Sequence, residues 1–255
     1  MAELELSILI PALLAGLLVT ATHVPLGMQV LARGIVFIDI AIAQIAGVGV
    51  IAADLLGFEP RGFAVQLSAL SAALLGAALL TWTDKRWPQA QEAIIGSVFV
   101  LAATLEILLL AGNPHGGEYL RDMLVGQILW VGTEQLTVVA ILTAAICLVW
   151  FGLGEERIGR IGFYGLFGLA VTASVQLVGI YLVFSSLIIP ALAMRNAQTH
   201  RLLKAYAIGA LGYGLGIVAS VLTDLPTGPV IVWAMALIAI IASSLERSAP
   251  AAPLR

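Results

Sequence analysis

Residues 34–57 read GIVFIDIAIAQIAGVGVIAADLLG, an apolar segment long enough to cross a bilayer that carries an acid, Asp39, inside it. A spanning helix needs about 20 mostly apolar residues. An ionisable side chain at membrane depth costs about 2.5–3.5 kcal/mol on insertion scales, so it usually faces protein or a water-filled path. The segment therefore predicts a membrane helix and raises the question of what Asp39 binds.

The composition of the whole chain extends this prediction. Its 255 residues are 61% hydrophobic and 11% charged, with a mean hydropathy of +1.06, whereas soluble domains average about 25% charged residues. A soluble protein of this size cannot bury so much apolar surface. The net charge of −3 argues against nucleic acid as a partner. Cys147 is the single cysteine, which excludes a disulfide framework and a thiolate metal cluster. No cleavable signal peptide is expected.

Apolar runs separated by Pro- and Gly-rich turns predict an all-α polytopic membrane protein with eight or nine transmembrane helices. The runs cover residues 6–31, 35–57, 63–83, 92–112, 134–152, 164–194, 202–222 and 227–247. The run 164–194 is too long for one span, and Gly179 and Pro190 are expected to break it into a full helix and a short returning segment. Residues 119–131 are too short to span and predict a half-helix or re-entrant piece. Residues 1–248 then form one transmembrane domain, followed by a disordered tail, 249–255.

Basic residues in short loops predict the orientation, because Lys and Arg concentrate on the cytoplasmic side. These basic residues fall in every second connection between consecutive helices. The rule therefore places those connections in the cytoplasm and the N-terminus outside. The residues are Arg33, Lys85, Arg86, Arg157 and Arg160. Arg195, Arg201 and Lys204 join them if the run 164–194 crosses twice, and this double crossing is the arrangement we expect.

The first two predicted helices hold three candidate ligands. His23 and Gln44 each lie about ten residues from the turn at Gly34, roughly 15 Å along a helix, with Asp39 about one turn below Gln44. An imidazole, an amide and a carboxylate near one level suit a borderline divalent cation such as Zn²⁺ or Mn²⁺. Two simpler interpretations stay open: Asp39 caps its helix or pairs with Arg33, and His23 hydrogen-bonds a neighbouring helix.

Other ionisable residues are weaker candidates. Glu106, inside the fourth run, either lines the path or hydrogen-bonds within the bundle. His115 and Glu118, with Asp122, can lie on one side of a helix at the outer face, where they form either a cation entrance or a solvated loop. His200, beside Arg201, is expected to be a surface residue. Asp54, Glu92 and Asp224 lie less deeply.

Enzyme signatures are missing from the sequence. It contains no HExxH, no GxSxG and no GxxxxGK[ST] phosphate-binding loop. The chain is therefore not expected to be an enzyme, and any ATP hydrolysis belongs to another subunit.

Several segments in order resemble the permeases of bacterial ABC importers for zinc, manganese or iron, known as the ABC-3 family. The resemblance covers nearly the whole chain and includes its Val-Gly-x-x-Leu-Val…Ile-Ile-Pro-Ala pattern. The segments are LARGIVFIDIAIAQIAGVGV (31–50), EAIIGSVFVLAATLEILLL (92–110), LVGQILWV (124–131), VQLVGIYLVFSSLIIPALAMR (175–195) and DLPTGPVIV (224–232).

This resemblance implies the permease architecture of a type II ABC importer in the bacterial inner membrane. It implies a homodimer with the ion path at the dimer interface, a cytoplasmic ATP-binding subunit and an external metal-binding protein. The divalent metal is the transported substrate, zinc first and manganese or iron(II) as alternatives, and no cofactor is permanently bound. The coupling element maps onto GLGEERIGRIGFYG, 152–165, with Glu155, Arg157 and Arg160 facing the ATPase.

One position departs from the family pattern. Asp39 matches the acid of the family's second helix, but the histidine expected one turn later is replaced by Ala43, followed by Gln44. The resemblance therefore implies a metal-ligand role for Asp39 alone. Either His23 supplies a substitute ligand, or this branch binds its ion more weakly or handles another cargo. The alternative function is a self-sufficient secondary transporter of a small solute or ion, which would usually show matched halves with paired broken helices.

Overall fold

The computed structural model describes residues 2–59 and 62–248, and every regular element within these ranges is a helix. The helices are α1 (Ala2–Arg33), α2 (Ile38–Leu55), α3 (Phe63–Arg86), α4 (Gln91–Leu110), α5 (Gly116–Val125), α6 (Thr133–Leu153), α7 (Glu155–Val178), α8 (Ile180–Ala193), α9 (Arg201–Thr223) and α10 (Thr227–Ser248). Short 3₁₀ turns lie at Pro88–Ala90 and Ile128–Trp130. The expected disordered tail, 249–255, lies outside the described residues.

Eight of these helices are long and apolar enough to cross a membrane, which confirms the predicted fold class. The bounds of seven of them follow the predicted apolar runs within about four residues, because backbone groups in hydrocarbon must bond within their own helix. Helix α7 instead begins at Glu155, nine residues before the predicted run 164–194. The two shorter helices are α5, which forms the first part of the segment predicted as a half-helix, and the apolar α8.

The long run 164–194 divides at Gly179 but not at Pro190. Gly179 adopts φ +82° between α7 and α8, a backbone conformation that glycine adopts without steric cost. Pro190 lies inside α8, which continues to Ala193. The prediction of a break at Pro190 was therefore wrong. Membrane helices tolerate proline where neighbouring protein surrounds the freed carbonyl, and Pro190 is buried.

Helix α8 returns the chain to the end of the bundle where α1 finishes. It starts beside Gly126, and its Leu187 carbonyl and Ala191 side chain pack against Gly27, close to the end of α1. The 194–200 turn therefore lies at the same end as Arg33, in agreement with the double crossing. This end also carries the basic residues of the α3–α4 and α6–α7 turns, so we predict that it is the cytoplasmic end.

The helices divide into an inner group and an outer group. In its spanning window α2 is 61% buried and α7 56%, against 17% for α6 and 22% for α10. Outer helices expose large apolar side chains, as expected for a surface in contact with lipid. Examples are Leu75, Leu101, Leu148 and Leu222. The inner helix α2 carries two of the candidate ligands, Asp39 and Gln44.

Two glycines allow the backbones of α5 and the α7–α8 break to touch. Gly126 (φ +72°) ends α5 and lies against Gly179. A Cβ on Gly179 would lie 2.6 Å from the Gly126 Cα and 2.8 Å from the Val125 carbonyl carbon. A Cβ on Gly228, at the start of α10, would lie 2.6 Å from the Val125 oxygen. The contact therefore ties α5, α7, α8 and α10 together.

The side of the 194–200 turn can be measured by cysteine labelling. In a Cys147→Ala background, we expect Gln198→Cys to react with an impermeant maleimide only after the cytoplasmic side is opened. Gly112→Cys, exposed in the α4–α5 connection at the other end, should react in intact cells. Labelling of Gln198→Cys from outside would contradict the returning α8.

The Gly126–Gly179 contact predicts the effect of a single methyl group. Gly179→Ala should destabilise the fold by about 2 kcal/mol or more, since it adds both an unfavourable φ and an overlap with backbone. Gly165→Ala in α7 is the matched control, because its Cβ would meet open space. Melting temperatures in detergent measure both variants, and equal values would contradict the contact.

Candidate functional site

Asp39 lies in the first turn of α2 and is only 1% exposed. Neither of its carboxylate oxygens finds a hydrogen-bond partner among the residues that the structure describes. The positive end of the helix dipole favours an anion there by only about 0.3–1 kcal/mol. Removing a carboxylate from water costs several kcal/mol. Asp39 thus carries an uncompensated desolvation cost within the single chain.

Neither of the simpler interpretations of Asp39 describes the geometry. Its side chain makes no cap hydrogen bond, and instead Glu92 Oε1 on α4 accepts a hydrogen bond from the Phe37 backbone N–H at 3.3 Å. Arg33 is engaged elsewhere: its Nη2 lies 3.5 Å from Glu155 Oε1, and its guanidinium lies 4.2 Å from the centre of the Phe163 ring. The residues nearest in sequence therefore leave the Asp39 carboxylate unpaired.

His23 is fully buried in α1, with one ring nitrogen bonded and the other free of described partners. Its Nδ1 lies 3.0 Å from the Val19 carbonyl oxygen and 3.0 Å from Thr22 Oγ1, while Nε2 has no partner in the described structure. A carbonyl can only accept, so the contact with Val19 assigns the proton to Nδ1 and leaves the Nε2 lone pair available. This is the tautomer that a metal-binding imidazole requires.

Gln44 and Glu106 meet at a cavity of about 550 Å³ between α2, α4, α5 and α8. Both side chains are buried, and Glu106 Oε1 has no hydrogen-bond partner in the described part of the chain. The Glu106 carboxylate lies directly over Gly47. The remaining cavity walls are mostly apolar.

The candidate ligands occupy different places instead of one cluster. Asp39 and Gln44 are five residues apart, which rotates them by about 140° around the axis of α2. Helix α1 packs mainly against α8 and α9, whereas α2 packs mainly against α3 and α4, so His23 does not face α2 across a hairpin. Within residues 2–59 and 62–248, no three His, Cys, Asp or Glu side chains are grouped to hold a metal ion.

The outer residues are mainly solvated. His115 Nδ1 lies 3.7 Å from Glu118 Oε2, and both side chains are largely exposed. Asp122 Oδ2 accepts a hydrogen bond from Gln127 Nε2 at 2.9 Å, which holds the end of α5. Burial, with the carboxylates of Asp54 and Glu106 nearby, raises the pKa of the Tyr119 phenol on α5. The segment 115–127 therefore brings Tyr119 near the carboxylates of Asp54 and Glu106 and exposes His115 and Glu118.

The cytoplasmic loop between α6 and α7 is attached to the bundle by two acid–base contacts. Gly154 and Gly159 both adopt positive φ, so the residues between them form one separate helical turn. Glu155 Oε2 accepts a hydrogen bond from Gln29 Nε2 at 2.5 Å, in addition to its contact with Arg33. Arg160 Nε lies 3.0 Å from Asp84 Oδ2 on α3. Arg157 is exposed.

At the start of α4, sequence reasoning missed Gln91 and gave its neighbour Glu92 no role. Gln91 accepts a hydrogen bond from Thr83 Oγ1 at 2.9 Å and donates to Tyr164 Oη on α7 at 3.2 Å. Glu92 binds the backbone that leads into α2. The pair therefore connects α7 with the start of α2, the helix that carries Asp39. Two polar residues opening an apolar helix after Pro88 were the available signal.

Comparison with known proteins agrees with this architecture. The sequence model of the ABC 3 transport family matches residues 5–157 and 152–246. The chain is 27% identical, over an alignment of 251 residues, to the "Probable metal transport system membrane protein" of Chlamydia trachomatis serovar D, and the alignment covers 88% of this chain and 84% of the relative. It is 26% identical over 198 residues to the "Chelated iron transport system membrane protein YfeC" of Yersinia pestis, covering 69% of this chain and 67% of YfeC.

A solved structure has the same fold. PsaBC from Streptococcus pneumoniae in complex with Fab superposes with a TM-score of 0.72 and 21% sequence identity. The superposition covers 92% of this chain and 89% of that one. The helix arrangement described above is therefore that of a known membrane protein fold.

Proposed function

The chain belongs to the ABC 3 transport family, and on that premise we propose that it is the permease subunit of an importer that moves divalent metal ions. As an ABC permease it is a multi-pass membrane protein whose ATP hydrolysis resides on a separate subunit. The observation that carries the metal assignment is Asp39, a buried carboxylate on an inner helix with no partner among the described residues. A passing cation would compensate the cost of burying it.

Sparse coordination suits transport. A permease must release its ion, so a carboxylate with few helpers lowers the cost of stripping water from the ion without trapping it. The free Nε2 of His23 is the second group that we assign to the path. One chain groups no three such ligands in its described part, and we propose that two copies of the chain form a dimer around the path.

The ligand chemistry selects the class of cargo. Imidazole and carboxylate together favour first-row divalent metals such as Zn²⁺, Mn²⁺ and Fe²⁺ over Mg²⁺, which gives up its water reluctantly. The relatives named for metal and for chelated iron transport support this class. We take zinc as the first cargo to test, followed by manganese and iron(II). An external metal-binding protein would deliver the ion, and no cofactor need be bound permanently.

The cytoplasmic loop supplies the docking element for the ATP-binding subunit. Glu155 and Arg160 hold the loop to α1 and α3, so their contacts with the bundle would carry movement of the ATPase to the helices. Arg157, exposed at the centre of this loop, is the residue that we assign to direct contact with the ATPase.

The cargo and Asp39 are tested together. In cells that lack the gene and grow under chelator, elemental analysis of all first-row metals should show loss of one metal. The natural sequence should restore it. Asp39→Ala should restore less than a tenth of the uptake at equal protein level, whereas Glu134→Ala, an exposed acid at the start of α6, should restore all of it.

Two results would contradict the proposal. Normal uptake by Asp39→Ala would remove Asp39 from the path, and unchanged content of every metal would remove the metal assignment. Uptake that persists when the partner ATPase is inactivated would favour the secondary-transporter alternative.

The docking loop makes a separate prediction. In the reconstituted complex, Arg157→Glu should lower metal-stimulated ATP hydrolysis several-fold, because it reverses a charge at the contact. Arg121→Glu, exposed on α5 at the opposite end, is the matched control. Arg160→Asp should also reduce coupling, and the exchanged pair Arg160→Asp with Asp84→Arg should recover part of it. Full stimulated hydrolysis by Arg157→Glu would refute the assignment.

A further inference from the structure

The cavity between α2, α4, α5 and α8 has the features of a second binding site, separate from Asp39. Its volume of about 550 Å³ exceeds that of a hydrated ion, and its walls are mostly apolar. The polar side chains Gln44 and Glu106 enter it from facing helices, and Met123 lines it from α5. Apolar walls with a few converging polar groups are typical of ligand sites.

Glu106 is the group in this cavity that requires explanation. It is 2% exposed, and its Oε1 has no hydrogen-bond partner in the described parts of the chain. A carboxylate that only stabilised the bundle would be expected to receive a donor from a neighbouring helix. Glu106 instead lines the cavity, as Gln44 does.

Gly47 makes the space that the carboxylate occupies. A Cβ at this position would overlap Glu106 Oε1 and would lie 2.6 Å from Met123 Cε. Any residue other than glycine would therefore push Glu106 away from α2 or displace α5. The close approach of α2, α4 and α5 at this point brings a carboxylate and a thioether side chain to one spot.

We infer that Glu106, Gln44 and Met123 form a transient binding site for a partly dehydrated first-row divalent cation. Carboxylate and amide oxygens with a nearby thioether suit borderline ions such as Zn²⁺, Fe²⁺ and Mn²⁺. They suit Mg²⁺ poorly, because the apolar walls cannot hold the water shell that Mg²⁺ keeps. A site with so few ligands binds weakly enough to release.

The position of this site along α2 predicts when an incoming cation would bind there during transport. Gly47 follows Asp39 by eight residues, which is about 12 Å along α2 toward the outer end. A cation moving inward would meet Glu106 first and Asp39 second. This inference rests on the proposed function, since it assigns to the same path an earlier binding step on a different face of α2.

The test measures binding in the assembled permease–ATPase complex without nucleotide. Equilibrium dialysis with Zn²⁺ and with Mn²⁺ should give a Kd at least tenfold higher for Glu106→Gln than for the natural sequence. Gly47→Ala should weaken binding in the same direction by displacing the carboxylate. Glu134→Gln, exposed at the start of α6, should leave the Kd unchanged. Asp39→Asn should retain the ion held by Glu106.

Two further measurements distinguish loss of this site from misfolding and from loss of transport. If Glu106→Gln fails to assemble, Gln44→Leu tests the same site while leaving the carboxylate intact, and we again expect weaker binding. Wild-type Kd values for either folded variant would overturn the inference, as would a natural complex that retains neither metal. Metal uptake by proteoliposomes distinguishes the two proposals: uptake that persists unchanged in Glu106→Gln leaves the importer function standing and removes only this site.

Discussion

An ionised group inside a membrane bundle needs a partner. The charged residues meet this requirement differently at the cytoplasmic end and in the interior of the bundle. At the cytoplasmic end the acids are matched by bases, as in Arg33 with Glu155 and Arg160 with Asp84. Inside the bundle Asp39 and Glu106 lack partners in the described structure. Burying a carboxylate costs several kcal/mol, and in the proposed function the transported cation offsets this cost.

The polar residues at the start of α4 join these two regions. Glu92 takes over the capping of α2, which leaves the Asp39 carboxylate free for another role. Its neighbour Gln91 binds Tyr164, one turn after Arg160 in the helix that follows the docking loop. In the proposed coupling, a displacement of the loop would be transmitted through these hydrogen bonds to the helix that bears Asp39. Hydrogen bonds in a low-dielectric interior are stronger than in water, which suits them to this task.

Glycine supplies the close approaches that the interior needs. Irregular backbone at membrane depth is tolerated only where protein covers it, and Gly126 against Gly179 meets that condition. This contact lets α8 return through the bundle and form a wall of the cavity. Gly47 acts similarly for Glu106, because its missing side chain is the space that the carboxylate fills.

The sequence by itself determined the spans and the break at Gly179, because hydrophobic length and glycine conformation are local properties, and its loop charge predicts the orientation. It also identified Asp39, His23, Gln44 and Glu106 as residues that need an explanation inside a membrane. Only the tertiary structure decided which of them meet. Helices that are apolar on all sides show no preferred face in sequence. How α2, α4, α5 and α8 pack therefore decides that Gln44 and Glu106 line one cavity and that Asp39 does not.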